Sequence, residues 1–324
     1  MSSLTEFHGK SILITGGTGF IGSFLIQKLK KADCKIYAIS RKPHSDSSGN
    51  VTWLQADVSD LGALREIFET SKIDVVFHLA SHVTGSRDVK QVDPTLRCNL
   101  LSTVNLLTLV TEYKCDRLVS IGSMEEPDSE SNDVPSSPYS VAKWASTGYS
   151  RMFFHLYNTP VVTARLYMVY GPDQKDGDKL IPYVTTSLLN NISPKLSTGR
   201  REIDWIYVDD VVDGIIQVAI TPGILGQVID IGSGRTHTIR NVVDKLVGII
   251  QPDVEPNFNA LADRPLEKTR IANIERSRKL INWRPRVSLD EGLSKTVSWY
   301  KALFLTTCLL PEGELASMFM ALGL

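Results

Sequence analysis

Near its start the chain reads Ser11-Ile12-Leu13-Ile14-Thr15-Gly16-Gly17-Thr18-Gly19-Phe20-Ile21-Gly22. A short apolar run meets glycines at 16, 19 and 22, and an apolar stretch of helical periodicity follows. The pattern predicts a strand turning sharply into a helix. Gly16 suits the tight turn, Gly19 a close backbone approach to a phosphate, and Gly22 close helix–strand packing, with the helix start facing the negative charge. The spacing G-x-x-G-x-x-G is one residue wider than the dinucleotide fingerprint. Its place between a first strand and a first helix sets it apart from an ordinary tight turn.

The same alternation continues outward. Stretches 11–15, 35–40, 51–54, 74–79, 117–121 and 161–166 read as strands, and 20–31, 61–71, 95–113 and 139–157 carry helical apolar spacing. Parallel strands need crossover connections, so this order predicts an α/β fold with a doubly wound parallel sheet. After Gly171, proline and glycine punctuation marks shorter elements and a smaller, interleaved α/β lobe. The expected division is 1–168 plus about 204–232 for the first domain, about 169–203 and 233–301 for the second lobe, and an apolar extension over 302–324. That extension, with Met318, Phe319 and Met320, suits packing on its own domain or on a partner subunit.

The 324 residues carry 35 Lys+Arg against 36 Asp+Glu, which speaks against nucleic acid or an anionic membrane as a partner. No run reaches the roughly 18 apolar residues of a membrane span, and the polar start has no leader-like apolar region. Cys34, Cys98, Cys115 and Cys308 have neither metal-ligand nor disulfide-scaffold spacing, so no metal is expected and the cytoplasm is the expected compartment.

Beyond the second strand the chain has Ser40-Arg41-Lys42 where an acidic residue would bond a ribose 2′-hydroxyl. A guanidinium there pairs well with a 2′-phosphate, which predicts NADP(H), with NAD(H) as the alternative. Asp57, followed by Val58, is placed either to accept from the adenine amino group or to cap the helix near Leu61. Further on, Tyr139 and Lys143 lie four apart on one helical face, which brings an ammonium near a phenol. An unperturbed tyrosine pKa near 10 hinders proton exchange at neutral pH; a drop of about three units, roughly 4 kcal/mol, is expected from Lys143 and an oxidised nicotinamide. Ser123 stands at the carboxyl edge of the sheet, where its hydroxyl can bond a substrate oxygen.

These motifs in this order resemble the extended short-chain dehydrogenase/reductase family, and within it the nucleotide-sugar epimerase/dehydratase/reductase group. The resemblance runs from about Lys10 to about Lys301 and rests on Thr15–Gly22, Asp57, Phe77-His78-Leu79-Ala80, Asn99, Ser123, Tyr139 with Lys143, Tyr170-Gly171-Pro172, Asp204 to Asp210 and Asp263-Arg264-Pro265. It implies a Rossmann sheet, a nucleotide-diphosphate sugar as substrate and a homodimer through the helices 95–113 and 139–157. By the same resemblance Tyr139 is the acid/base, Lys143 holds the nicotinamide ribose, and Ser123 binds the reacting oxygen. Gly16, Thr18, Gly19, Phe20, Ile21, Gly22, Leu79, Ala80, Ser81 and Asn99 line the cofactor cleft. The resemblance also implies His82 and Thr84 on the sugar side, Leu180, Ile181 and Pro182 over the base, and Arg264 on the diphosphate, its alternative being a surface salt bridge with Asp263 or Glu267; Ile203 replaces a family arginine, for which Arg200 and Arg201 are placed to compensate.

Departures narrow the reaction. Sugar-nucleotide 4,6-dehydratases carry an acid and a base directly after the catalytic hydroxyl, whereas here Ser123 is followed by Met124 and Glu125. Glu125 retains acid/base capacity, while Glu125-Glu126 before Pro127 reads equally as a solvated loop. Met168 stands where many relatives have asparagine. With the NADP-type strand end, the resemblance is strongest to the 4-ketoreductases that finish deoxysugar nucleotides, such as CDP-abequose synthase; a 4-epimerase or a non-catalytic NADP-binding sensor are the alternatives.

Overall fold

The computed structural model describes residues 3–45, 49–128, 132–264 and 266–309. Pro265, and the apolar extension from 310 onward with Met318, Phe319 and Met320, lie outside the described residues. The opening strand is β1 (Ser11–Thr15), and the glycine turn leads to α1 (Phe20–Leu29). There follow β2 (Lys35–Ser40), β3 (Val51–Gln55), α2 (Leu61–Thr70), β4 (Val75–His78), α3 (Val92–Thr95), a π-helical turn over Leu96–Leu101, α4 (Ser102–Glu112), β5 (Arg117–Ser123), α5 (Pro138–Tyr157) and β6 (Val161–Leu166). The remainder contributes β7 (Met168–Tyr170), α6 (Leu180–Leu189), β8 (Glu202–Tyr207), α7 (Val208–Ile220), β9 (Val228–Ile231), β10 (Thr236–Thr238), α8 (Ile239–Ile250), α9 (Ile274–Ile281) and α10 (Leu289–Leu309).

Seven parallel strands in the order β3-β2-β1-β4-β5-β6-β9 form the main sheet. Ile12, Leu13 and Ile14 are all fully buried because helices cover both faces. Ile12 and Ile14 pack with Leu25 and Leu29 of α1, while Leu13 joins Leu64, Leu106 and Leu107 on the other side. The strand order reverses between β1 and β4, where Thr15 stands opposite His78. Ligands bind outside the carboxyl ends of strands at such a switch point, so the glycine turn and residues 79–82 frame the crevice.

A second sheet has the strand order β10-β8-β7. Residues 204–207, expected together with the first domain, pair with β7 and β10, and α7 follows from Val208. Trp205 and Tyr207 bury themselves against Tyr170 in edge-on ring contacts, which explains why this segment stays with the small sheet. Asp209 and Asp210 fall inside the first turn of α7 and do not cap it. Asp210 accepts from the backbone N–H groups of Arg286 and Val287 (3.0 and 2.9 Å) and fastens that loop to the helix. Asp60 caps α2 through Ala63 N–H (3.1 Å), leaving Asp57 to a turn with Ser59. For α5, Ser137 supplies the cap and Pro138 the first turn, where a missing N–H costs nothing.

Candidate active site

Gly16 has φ +71°, and a Cβ there would come within 2.6 Å of Ala80 N; a Cβ on Gly22 would lie 2.1 Å from Gly16 O. Only glycine lets the turn close this tightly. Gly19 begins α1 in extended conformation without a side-chain cap, so the first-turn N–H groups face the crevice beside exposed Thr18. These residues form a cradle that fits a pyrophosphate, with Phe20 and Ile21 half-buried behind it.

Beneath the turn lies a satisfied polar chain. Ala80 N–H donates to Thr15 Oγ1 (3.1 Å), whose hydroxyl bonds His78 Nδ1 (2.7 Å). On the other side His78 Nε2 meets Ser102 Oγ (3.1 Å), which donates to Cys98 O (2.6 Å). These directions assign the proton to Nε2. Burial, then the charge of Lys143, pushes the imidazole pKa down to about 3, so His78 is neutral.

Ser123, Tyr139 and Lys143, the residues expected to be catalytic, come together at the carboxyl end of β5. The hydroxyls of Ser123 and Ser81 act on the Tyr139 phenol and favour its ionised form. Ser123 Oγ accepts from Glu125 N–H (3.2 Å), which leaves its own proton for a neighbouring oxygen. Lys143 is buried, donates to Ile121 O at 3.0 Å, and stands 6.0 Å from the Tyr139 ring centre. The expected fall in the Tyr139 pKa is reversed in the protein alone: burial pushes the phenol up to about 12, outweighing the effect of the Ser123 and Ser81 hydroxyls, with Glu126 and Glu125 adding to the rise. Burial lowers Lys143 to about 8, and the charge of Glu126 resists that fall.

Other expected residues are placed differently. Asn99 is buried in the π-helical turn, where it accepts from Ser81 Oγ (2.9 Å) and His82 N (2.7 Å) and donates to His82 O (3.1 Å). It shapes the 81–82 segment with atoms that a cofactor contact would need. Thr103 and Ser146 hydroxyls both bond its carbonyl (2.7 and 2.9 Å), groups that take part in the π-helical departure. His82 is tied to Gln91 (2.8 Å), and Thr84 accepts from Ser86 N (3.1 Å). Met124 is buried in the core, as are Ile181 and Pro182, so of the expected residues 180–182 Leu180 is the one left half-exposed. Met168 is half-buried on β7.

Arg201 is clasped. It donates to Glu125 Oε1 at 2.9 Å and pairs with Glu267, which also receives Arg264 at 3.3 Å. Arg264 lies against Gly85, where a Cβ would come 2.3 Å from its Nη1. Ser40 Oγ accepts from Lys42 N (3.3 Å), and the Arg41 carbonyl accepts from Gln55 (3.2 Å). Asp57 is held below its usual range first by the Ser59 N–H, with the charge of Arg41 contributing. Val58 is buried, and Leu79 and Ala80 half-buried, along the crevice.

Three further acidic residues are engaged around these elements. Asp204, fully buried, gathers Ser233 N (2.7 Å), Ser233 Oγ (2.6 Å), Gly234 N (2.9 Å) and Ala272 N (3.0 Å). Glu267 anchors both arginines. Glu126, expected in a solvated loop, is only 2% exposed and receives Ser123 N–H at 2.7 Å. Among the described residues no His/Cys/Asp/Glu group could hold a metal, and no helix is long and apolar enough to cross a membrane.

A family model described as the NAD dependent epimerase/dehydratase family matches residues 12–232. A dTDP-D-glucose 4,6-dehydratase of Bos taurus is 27% identical over 324 residues, covering 92% of this chain and 91% of that protein. A UDP-glucuronate 4-epimerase of Thermodesulfobacterium geofontis is 28% identical over 315 residues, with 89% and 95% covered. The structure of a UDP-glucuronic acid 4-epimerase from Bacillus cereus, in complex with UDP-glucuronic acid and NAD, superposes with a TM-score of 0.80 at 26% identity over 90% of this chain and 99% of that one.

Proposed function

Because this chain belongs to the NAD dependent epimerase/dehydratase family, we propose that it reduces the C4 keto group of a nucleotide-diphosphate 4-keto-6-deoxysugar with NADPH. The observation that carries this reading is the gathering of Ser123, Tyr139 and Lys143 at the carboxyl end of β5, with Lys143 donating to Ile121 O at 3.0 Å and standing 6.0 Å from the Tyr139 ring centre. A carbonyl undergoing reduction needs a proton donor beside it. Tyr139 gives that proton to the C4 oxygen, and the Ser123 hydroxyl polarises the same oxygen. A nicotinamide cofactor, when bound in the cleft, would supply the hydride. The turn from Gly16 to Gly22 would hold its pyrophosphate, Arg41 with Ser40 and Lys42 the 2′-phosphate, Asp57 and Val58 the adenine side, and Lys143 the nicotinamide ribose.

Elimination of water is disfavoured by the same residues. Buried Met124 has no proton to give, and Glu125, the remaining carboxylate, is engaged by Arg201. A diphosphate entering the small lobe would be met by Arg201 and Arg264, with Leu180 beside the base and His82, Thr84 and Met168 towards the sugar. The chain is proposed to act as a homodimer: Val141, Tyr149 and Leu156 on α5 are exposed together with Trp144, so this stripe faces away from the sheet.

Purified protein with NADPH or NADH and a panel of 4-keto-6-deoxy nucleotide sugars tests the reading. NADPH consumption with one of them is expected; no consumption with any refutes it. The two 28%-identical relatives named UDP-glucuronate and UDP-glucose 4-epimerases support a second reading, C4 epimerisation. Retained NAD⁺ and inversion without added cofactor would establish that reading instead.

A further inference from the structure

We infer that Glu267 is a built-in competitor of the substrate: its carboxylate bridges Arg201 and Arg264 as a phosphate would, and it must yield both guanidinium groups before a nucleoside diphosphate can bind. The inference rests on the placement of a diphosphate against these two arginines proposed above.

The bridge is formed by direct contacts. Glu267 Oε2 pairs with Arg201 Nη1, and Oε1 receives Arg264 Nη1 at 3.3 Å. The two oxygens of one carboxylate thus take one guanidinium each, which is also how neighbouring oxygens of a diphosphate are bound. Arg201 comes from the segment just before β8 and Arg264 from 63 residues further on, so the carboxylate ties together two separate stretches of chain. Arg264 is 59% exposed while Glu267 is 12% exposed; the arginine is open to an arriving anion, and its present partner lies beneath it. Arg201 Nε is buried without a partner, a donor that neither of its carboxylates uses.

Charge explains the competition. Arg201 and Arg264 face Glu125 and Glu267, two cations against two anions, so the cluster offers an anion no net attraction until one carboxylate leaves. Glu125 belongs to the turn after β5, with its N–H on Ser123 Oγ (3.2 Å) and its carbonyl receiving Ser140 Oγ (2.6 Å). It keeps Arg201 oriented through Nη2 at 2.9 Å. Glu267 is the partner that both arginines share. Beyond it the chain is fastened to Asp133 by Lys268 and by Arg270 at 3.5 Å, so the exchange is a turn of one side chain and not a movement of the loop. A ligand that must first displace this carboxylate binds with an apparent affinity below its intrinsic one.

Calorimetric titration with UDP, CDP, dTDP and GDP, with NADP⁺ present to fill the glycine-turn cradle, tests the competition. Glu267→Gln keeps the shape and removes the charge, and it should bind the preferred nucleotide roughly tenfold tighter, the order of one charge-assisted hydrogen bond no longer contested. In an Arg264→Gln background the same change should give almost no gain. Asp133→Asn removes an equal charge from the neighbouring ion pairs and should leave affinity unaltered. Unchanged or weaker binding by folded Glu267→Gln overturns the inference, as does an equal gain from Asp133→Asn or the binding of none of the four nucleotides. Should Glu267→Gln fail to fold, Glu267→Ala is read in the same way. If Arg264→Gln alone binds like wild type, the diphosphate does not meet these arginines; if it binds more weakly and Glu267→Gln brings no gain, the competition alone is refuted. No arm needs turnover, so the outcome of the reductase assay is independent of this one.

Discussion

Replacing His78 with asparagine tests the polar chain under the glycine turn. The asparagine oxygen can still accept from Thr15, but the arm to Ser102 and the ring volume are lost, at a cost of roughly 2–3 kcal/mol that does not vary with pH. Wild type carries an additional pH-dependent term. Folded His78 resists protonation down to about 3, against 6.5 when exposed. Below the exposed value the unfolded chain binds a proton that the fold refuses, so stability is complete above 6.5 and falls as pH is lowered towards 3. At about pH 5 the difference amounts to about 2 kcal/mol, and at about pH 7.5 it is negligible. Urea unfolding of both proteins at these two pH values isolates the term, because all other titrating groups are shared. The gap between wild type and His78→Asn should shrink by about 2 kcal/mol on acidification. Parallel pH dependences would refute the assignment of a buried neutral imidazole. Because Thr15 also anchors Ala80, the variant should bind dinucleotide more weakly at neutral pH, read by quenching of intrinsic fluorescence.

Tyr139→Phe should lower kcat by about 10²–10⁴ while dinucleotide affinity stays unchanged, separating chemistry from binding in a single titration. Gly22→Ala drives a methyl into Gly16 O at 2.1 Å; about 1–3 kcal/mol of stability is expected to be lost in chemical denaturation, together with cofactor binding. Arg41→Ala should weaken NADPH roughly tenfold or more and leave NADH affinity unaltered, by competitive fluorescence titration. Trp144→Glu on the exposed α5 stripe should give a monomer mass by light scattering without loss of helical signal.

How far the sequence reveals this molecule depends on the range of the interactions. The strand, glycine turn and helix from Ser11 to Leu29 are legible because each element is specified by neighbouring residues. Tyr139 and Lys143 are legible for the same reason, since one helix sets their separation. The small sheet is not: β7 and β10 are three residues each, too short for a period, and they become strands only by pairing with β8. Asp210 has the composition of a helix cap, yet its partners Arg286 and Val287 arrive from a distant loop. The Glu125–Arg201 pair likewise spans 76 residues. Glu126 is hidden for a different reason. Glu-Glu-Pro looks solvated, and only the space above Gly122 turns the second carboxylate inward.

The near-balance of 35 cations and 36 anions also takes on a spatial meaning. Most charges lie at the surface, where an ion pair contributes little, but a few are buried close to the crevice: Lys143, Glu126 and Asp204, with Arg201 and Glu267 partly buried. Asp204 is saturated by four donors and serves the fold. Lys143 and Glu126 differ, because both titrate away from their ordinary values through burial and neither has all its bonding capacity used. Arg201 Nε is also buried without a partner, although the same guanidinium binds two carboxylates. Buried polar atoms without a protein partner are rare in folded proteins, and each calls for its own explanation, whether a bound water, an ion or a functional role. Four of the six such atoms among the described residues belong to Glu126, Thr147, Arg165 and Arg201. Glu126 touches the Ser123 main chain and Arg201 touches Glu125, on the two sides of one turn. The buried Asp204 and Asp210 are engaged by backbone donors of distant loops, whereas the buried polar atoms left without a protein partner cluster around the turn that follows β5.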